Sequence, residues 1–350
     1  RVMIPAYARP AHHRLRDKLS RAAAHAETCE QTILERRGKA LGIIASGVAV
    51  MHAREVEPEA SILQLGFSYP LPMQTIRDFV ASVDRCVVLE EGDPLLVTEL
   101  RAEGLDVEGK PERFRFGELN ADRVRRILDH DESAEPTVQP GKPPALCEGC
   151  SHRPVFETLK RLDCIVAGDI GCYTLGVLPP FTAMDTCVCM GASIGVGLGL
   201  RHVLPEDEAR RVVSVIGDST FVHSGLTGLA EMIYNPPPTG HLVLILDNGT
   251  TAMTGQQEHP GTGRDLLHQP TGKIHFEDLA RAMGLKQVIT VDPLASDGSL
   301  EEAIKTALAG NELTLIVARR PCILAAPKIR QYEKAAVEMK SACAKACAGE

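Results

Sequence analysis

The sequence predicts an α/β fold built as two parallel-sheet domains. Short apolar runs rich in β-branched residues or leucine recur between helical stretches, as in Arg211-Val-Val-Ser-Val-Ile216 and His241-Leu-Val-Leu-Ile-Leu246. Such runs, bounded by turn residues, read as strands buried on both faces. Their alternation with helices predicts parallel pairing through right-handed crossovers. A Pro-rich stretch, Ser133 to Pro144, divides the 350 residues into two segments, each long enough for its own core.

Residues 1–38 read as a charged, Ala-rich linker helix, either covering a neighbouring domain or standing solvated. Residues 39–135 carry the first sheet. Ala40 to Ala45 is a strand, Ser46-Gly47 a turn into a helix, and Ser61 to Leu65 a second strand. Gln74 to Val83 is a helix, Arg85 to Glu90 a third strand, and Glu91-Gly92-Asp93 a turn into a helix reaching Ala102. Residues 136–144 are the linker. Residues 145–326 hold the second sheet, with strands at Asp163 to Gly168, Arg211 to Ile216, His241 to Leu246, Lys286 to Val291 and Leu313 to Ala318. Ser224 to Tyr234 reads as a helix stopped by Asn235-Pro-Pro-Pro238. Residues 327–350 form an Ala-rich helical tail.

Composition excludes several classes. A net charge of −8 and the lack of a basic aromatic stripe argue against nucleic-acid binding. No apolar run approaches the ~20 residues of a membrane helix, and the first residues do not resemble a signal peptide. Eleven cysteines, an odd number, fit a reducing cytoplasm and metal or iron–sulfur ligation better than a disulfide framework.

The chemistry concentrates where strands end. Gly217-Asp218-Ser219 closes one strand, and Asn248 closes the next, 30 residues after Asp218. Open α/β sheets place ligands at these carboxyl ends, and hard oxygen donors there suit Mg²⁺ holding a diphosphate. The spacing resembles the thiamine diphosphate motif, Gly-Asp-Gly followed by Asn, with Ser219 in place of the last Gly. The resemblance implies that Asp218, Asn248 and the Thr250 carbonyl bind Mg²⁺. It also implies cofactor contacts from Gly217, Ser219, Met253 and Thr254. The glycine run Gly191, Gly195, Gly197 and Gly199 lacks the preceding strand of a dinucleotide fingerprint. It reads as helix packing, with Cys189, Met190 and Gly191 beside the cofactor.

Cys147-Glu-Gly-Cys150, followed by Ser151-His152-Arg153, is open to three readings from residues alone: half a zinc site, a dithiol, or part of an iron–sulfur site. Together with Gly168-Asp-Ile-Gly-Cys172, Met190-Gly-Ala-Ser193, Gly217-Asp-Ser219 and Asn248-Gly-Thr-Thr-Ala-Met-Thr-Gly255, it runs in an order that resembles the 2-oxoacid:ferredoxin oxidoreductases. The indolepyruvate branch is the nearest match. The strand reading Val-Val-Leu-Glu-Glu resembles the small transketolase C-terminal domain, so the two sheets would be a transketolase C-terminal-like domain and a thiamine diphosphate-binding domain.

The resemblance implies a [4Fe–4S] cluster held by Cys147, Cys150, Cys172 and Cys322, although Cys172 and Cys322 read equally well as buried apolar residues. In the indolepyruvate members the best-known clusters lie in a C-terminal ferredoxin-like domain, of which only Cys343 and Cys347 stand before Glu350. The implied activity is oxidative decarboxylation of an aryl 2-oxo acid with CoA and ferredoxin. The alternatives are a non-oxidative thiamine-dependent decarboxylase and an electron-transfer module with a vestigial thiamine site. The activating Glu and its pyrimidine-binding domain are expected outside this chain, within a longer polypeptide, alongside a second oxidoreductase subunit and a dimer or higher assembly. His152 is the candidate catalytic residue within the chain, and His223, His259, His268 and Arg153 are weaker candidates.

Overall fold

The computed structural model describes residues 2–135 and 141–348, so residues 136–140 of the expected linker lie outside the described residues. The chain divides into two compact units, residues 1–139 and 140–350.

Unit one begins with α1 (Pro5–Ala26) and β1 (Ile33–Glu35). It continues through β2 (Gly42–Ala45), α2 (Ala49–Val56), β3 (Ser61–Gln64), α3 (Met73–Val80), β4 (Cys86–Leu89), α4 (Leu96–Ala102) and α5 (Ala121–Leu128). The sheet order is β1-β3-β2-β4. β2 pairs in parallel with β3 and β4. β1 pairs antiparallel with β3, so this sheet is mixed, and the expected helix over residues 1–38 stops at Ala26. Only three residues long and partly exposed, β1 has no periodicity to betray it and forms because β3 offers an open edge. Alternation along β2 sends Ile43 and Ala45 into a core with Ile62, Phe114 and Ile127, and Ile44 into the opposite core with Ile76, Phe79 and Leu100. Both faces are therefore covered.

Unit two begins with α6 (His152–Arg161), β5 (Ile165–Gly168), β6 (Thr186–Cys187), α7 (Ala192–Val203), α8 (Glu206–Ala209) and β7 (Val212–Gly217). Next come α9 (Asp218–Thr220), which runs through a π-helical turn into α10 (Leu226–Tyr234), then β8 (His241–Asp247) and α11 (Phe276–Ala282). β9 (Gln287–Val291), α12 (Ser299–Ala309), β10 (Leu313–Arg319) and α13 (Ala326–Ala348) complete it. Its sheet has the order β6-β5-β7-β8-β10-β9 and all its pairs are parallel. β7 and β8 are buried at every residue, as their mainly apolar sequences require. Leu242, Leu244 and Leu246 feed one core and Val243 and Ile245 the other. Each such side chain contributes about 1.5–3 kcal/mol on full burial.

His241, at the start of β8, is an exception inside this apolar strand. Its Nε2 lies 2.8 Å from Ser214 Oγ, and its Nδ1 has no partner among the described residues. Burial, reinforced by Arg201 and His202, lowers its pKa from 6.5 to about 3. The unfolded chain thus takes up a proton near pH 6.5 that the native chain refuses until about pH 3. This stability is full above 6.5 and is lost as the pH falls toward 3. Between pH 7 and pH 5 the His241 share is about 2 kcal/mol. Denaturant titrations at both pH values are expected to show a difference smaller by that amount in His241→Gln; an unchanged difference would mean that the native ring takes up its proton as readily as the unfolded one.

Candidate cofactor site

Three loops at the carboxyl edge of the second sheet build the site: residues 169–173 after β5, 217–220 after β7 and 248–254 after β8. The chain leaves β5 outward for β6 and returns through α7 to β7, so β5 and β7 flank the switch point at which open sheets bind ligands. A cavity of about 140 Å³ opens there, lined by Asp218, Ser219, Asn248, Thr250, Met253 and Thr254 among others. Gly217 and Met190 also line it. Two expected contacts do not: Cys189 is exposed, with its carbonyl taken by the Ala192 N–H. The Gly191 N–H is spent on the Asp169 carboxylate at 2.8 Å.

Asp169 is a residue that sequence reading missed. Fully buried, it accepts from Gly191 and Ser193 and anchors the start of α7 beside the cavity. Gly191 itself has φ +87°, and a Cβ there would fall 2.1 Å from Ser224 Oγ, so only glycine fits. Tyr173 was also missed; it lines the cavity, and its hydroxyl donates to the Ile170 carbonyl at 3.0 Å. A Cβ on Gly217 would meet its ring at 2.5 Å.

Asp218 is the centre of the polar network. It is only 3% exposed. Oδ1 accepts from the Ser219 N–H at 2.8 Å. Oδ2 accepts from the Gly249 N–H at 2.8 Å and faces His259 Nε2 at 3.2 Å. Asn248 Oδ1 accepts from the Thr250 N–H at 3.1 Å, and its Nδ2 lies 3.4 Å from His152 Nε2. The Thr250 carbonyl takes no hydrogen bond among the described residues. Asp247, next to Asn248, has its pKa raised by burial and by Asp218, against Arg319, whose Nε donates to it at 2.6 Å. His152 is buried, and desolvation lowers its pKa to about 4 despite the attraction of Asp218; it is therefore neutral at pH 7.

A second cavity, of about 90 Å³, adjoins the first and shares Cys172, Asn248 and Ala252 with it. Cys147, Cys150, Cys172 and Cys322 all line this second cavity, among Leu146, Leu175 and Ile323. Its assembly follows from the fold. Gly149, at φ +74°, turns Cys147 back toward Cys150, whose N–H bonds the Cys147 carbonyl at 3.1 Å. Cys172 follows β5. After β10, the Arg320 and Cys322 N–H groups bond the Asp247 and Asn248 carbonyls, each at 2.9 Å, which ties Cys322 to the end of β8. Burial pushes the Cys150 and Cys172 thiols up. None of the described cysteines is in a disulfide. Among the described residues, no three His, Cys, Asp or Glu side chains converge closely enough to hold a single metal ion.

The remaining candidates lie elsewhere or act indirectly. His223 is exposed on the π-helical turn and meets Ser224 Oγ at 3.1 Å. His268 bonds Glu258 at 2.8 Å and stacks on Tyr332. Arg153 donates to the Leu146 carbonyl and lies over Phe181. His259 reaches the site through Asp218. No helix among the described residues is long and apolar enough to cross a membrane.

Residues 169–318 match the family model for the thiamine pyrophosphate enzyme C-terminal TPP binding domain. The chain is similar to the indolepyruvate oxidoreductase subunit IorA of Methanothermobacter marburgensis, with 35% identity over 94% of this chain and 57% of that protein. The IorA subunit of Archaeoglobus fulgidus is 32% identical over 97% of this chain and 58% of its own length. The chain therefore spans somewhat over half the length of these relatives. Among solved structures, a 2-oxoglutarate:ferredoxin oxidoreductase from Magnetococcus marinus overlaps 52% of this chain and 65% of its own, at 16% identity and a TM-score of 0.43.

Proposed function

We propose, from its similarity to the indolepyruvate oxidoreductase IorA subunits, that this chain is the diphosphate-holding part of a thiamine diphosphate-dependent 2-oxoacid:ferredoxin oxidoreductase. The observation that carries the proposal is the shared wall: a cavity with Asp218 and Asn248 in its lining lies against a second cavity lined by four cysteines.

The residues fit the groups implied. An ionised carboxylate offers about four acceptor sites; Asp218 spends three on Ser219, Gly249 and His259 and keeps one for a cation. The second lone pair of Asn248 Oδ1 and the free Thr250 carbonyl complete a hard-oxygen set for Mg²⁺, with the remaining positions left to a diphosphate. Four thiols around one cavity match the donor set of a [4Fe–4S] cluster, whose width keeps its ligands further apart than those of a single ion. When bound, thiamine diphosphate supplies the nucleophilic carbon and electron sink for 2-oxo acid decarboxylation. A cluster supplies one-electron exit toward ferredoxin.

This chain's residues orient and insulate. Asp218, Asn248 and Thr250 fix the diphosphate end, while Met190 and Met253 give the cavity apolar walls. The neutral His152 ring, buried against Asn248 and edge-on to Tyr173, fills the wall beside the second cavity. A pyrimidine-binding domain, a second subunit, CoA and an aryl 2-oxo acid complete the reading. The test is anaerobic assay of the whole subunit with its partner. Aryl 2-oxo acids are expected to reduce ferredoxin only when CoA is present; decarboxylation with no electron transfer would establish the non-oxidative alternative.

A further inference from the structure

We propose that His259 is a positioning residue that sets Asp218 for cation binding. The inference rests on the reading of Asp218 as a metal ligand and goes beyond it. His259 lies 41 residues after Asp218, on the far side of the loop that follows β8. Its Nδ1 accepts from the Gly261 N–H at 3.2 Å. That bond places the ring proton on Nε2, which donates to Asp218 Oδ2 at 3.2 Å. Both side chains are about 95% buried, at 5% and 4% exposure. The ring is therefore fixed at both ends. The Thr262 hydroxyl bonds the His259 carbonyl at 2.9 Å and holds the backbone of the same turn.

The consequence is geometric and electrostatic. The Gly249 N–H and the His259 Nε2–H share Oδ2, so the carboxylate cannot rotate about its Cβ–Cγ bond without losing two bonds. The imidazole holds the carboxylate through a single N–H, whereas an arginine or lysine in that place would compete with the cation. The partner of a metal-ligating group typically contributes 10- to 100-fold in metal affinity.

Two substitutions separate the donor from the bulk. His259→Asn keeps an acceptor for Gly261 but is too short to reach Oδ2. His259→Gln extends an amide donor to about the place of Nε2. Mg²⁺ is titrated calorimetrically into this chain at saturating thiamine diphosphate, and thermal unfolding without metal reads the fold separately. His259→Asn is expected to weaken Mg²⁺ binding by roughly 10- to 100-fold, and His259→Gln to recover most of that loss, with the metal-free unfolding temperatures alike. Equal weakening in both variants, or a loss of affinity that only follows a loss of metal-free stability, assigns His259 to packing and overturns the proposal. Wild-type affinity in His259→Asn, alongside lost binding in Asp218→Asn, overturns it while leaving the cation site standing. Binding retained in Asp218→Asn removes the cation site, and the proposal with it.

Discussion

Asp218→Ala is expected to abolish the Mg²⁺-dependent binding of thiamine diphosphate, weakening it by about 100-fold or more, the upper end of what even an indirect partner of a ligand supplies. Asp218 is the charged member of the oxygen set at the end of β7 that still has an acceptor position free. Asn248 and Thr250 are neutral and cannot replace it. The substitution also leaves the Ser219 and Gly249 N–H groups and His259 Nε2 facing a hole. Each buried donor left without a partner costs about 1–3 kcal/mol, so part of the effect in Ala is loss of fold. Asp218→Asn separates the two. It retains an oxygen for one of the two backbone donors and removes the charge, so it should lose less stability than Ala and still fail to bind. Calorimetric titration with Mg²⁺ and thiamine diphosphate reads the affinity; heat equal to that of the wild type in Asp218→Asn would remove the cofactor site from this edge of the sheet.

Legibility in the sequence followed the range of the interaction. β7 and β8 are mainly apolar runs ended by polar residues, so both the strands and the residues at their tips, Asp218 and Asn248, could be read locally. Thr250, Met253 and Thr254 follow on the same loop and came with them. Asp169 was invisible because its role is to accept from Gly191 and Ser193, more than twenty positions away; alone it is an Asp after a short strand. Tyr173 was hidden for another reason: it follows the segment that ends at Cys172, and its ring matters only because two glycines, Gly171 and Gly217, leave room for it. The His259 pairing depends on a loop folding back onto β7, which no periodicity encodes. The detectable signal was the polar run Gln257-Glu258-His259 in a stretch otherwise rich in turn residues. β1 escaped because three residues are too few for alternation to show.

Cys322→Ser is expected to remove most of the iron from anaerobically purified protein while leaving the binding of Mg²⁺ and thiamine diphosphate intact. The difference follows from which walls each cysteine forms. Cys322 lines only the second cavity, whereas Cys172 lines both cavities. Cys172→Ser should therefore lose iron and also weaken cofactor binding. A [4Fe–4S] cluster corresponds to roughly four irons per chain, so a single missing thiolate reads as a large drop in iron and sulfide. Cys164 and Cys86 supply the control. Burial pushes both thiols up to about 12, neither lines the cavity, and Ser at either position should leave the iron in place. Iron and sulfide assays on the four variants decide the matter. Iron retained in Cys322→Ser and Cys172→Ser would return these two cysteines to the apolar core, and the partition between the cavities would then separate the cofactor from nothing but side chains. Iron lost from both, with cofactor binding impaired only in Cys172→Ser, would identify Cys172 as the point where the two halves of the site meet.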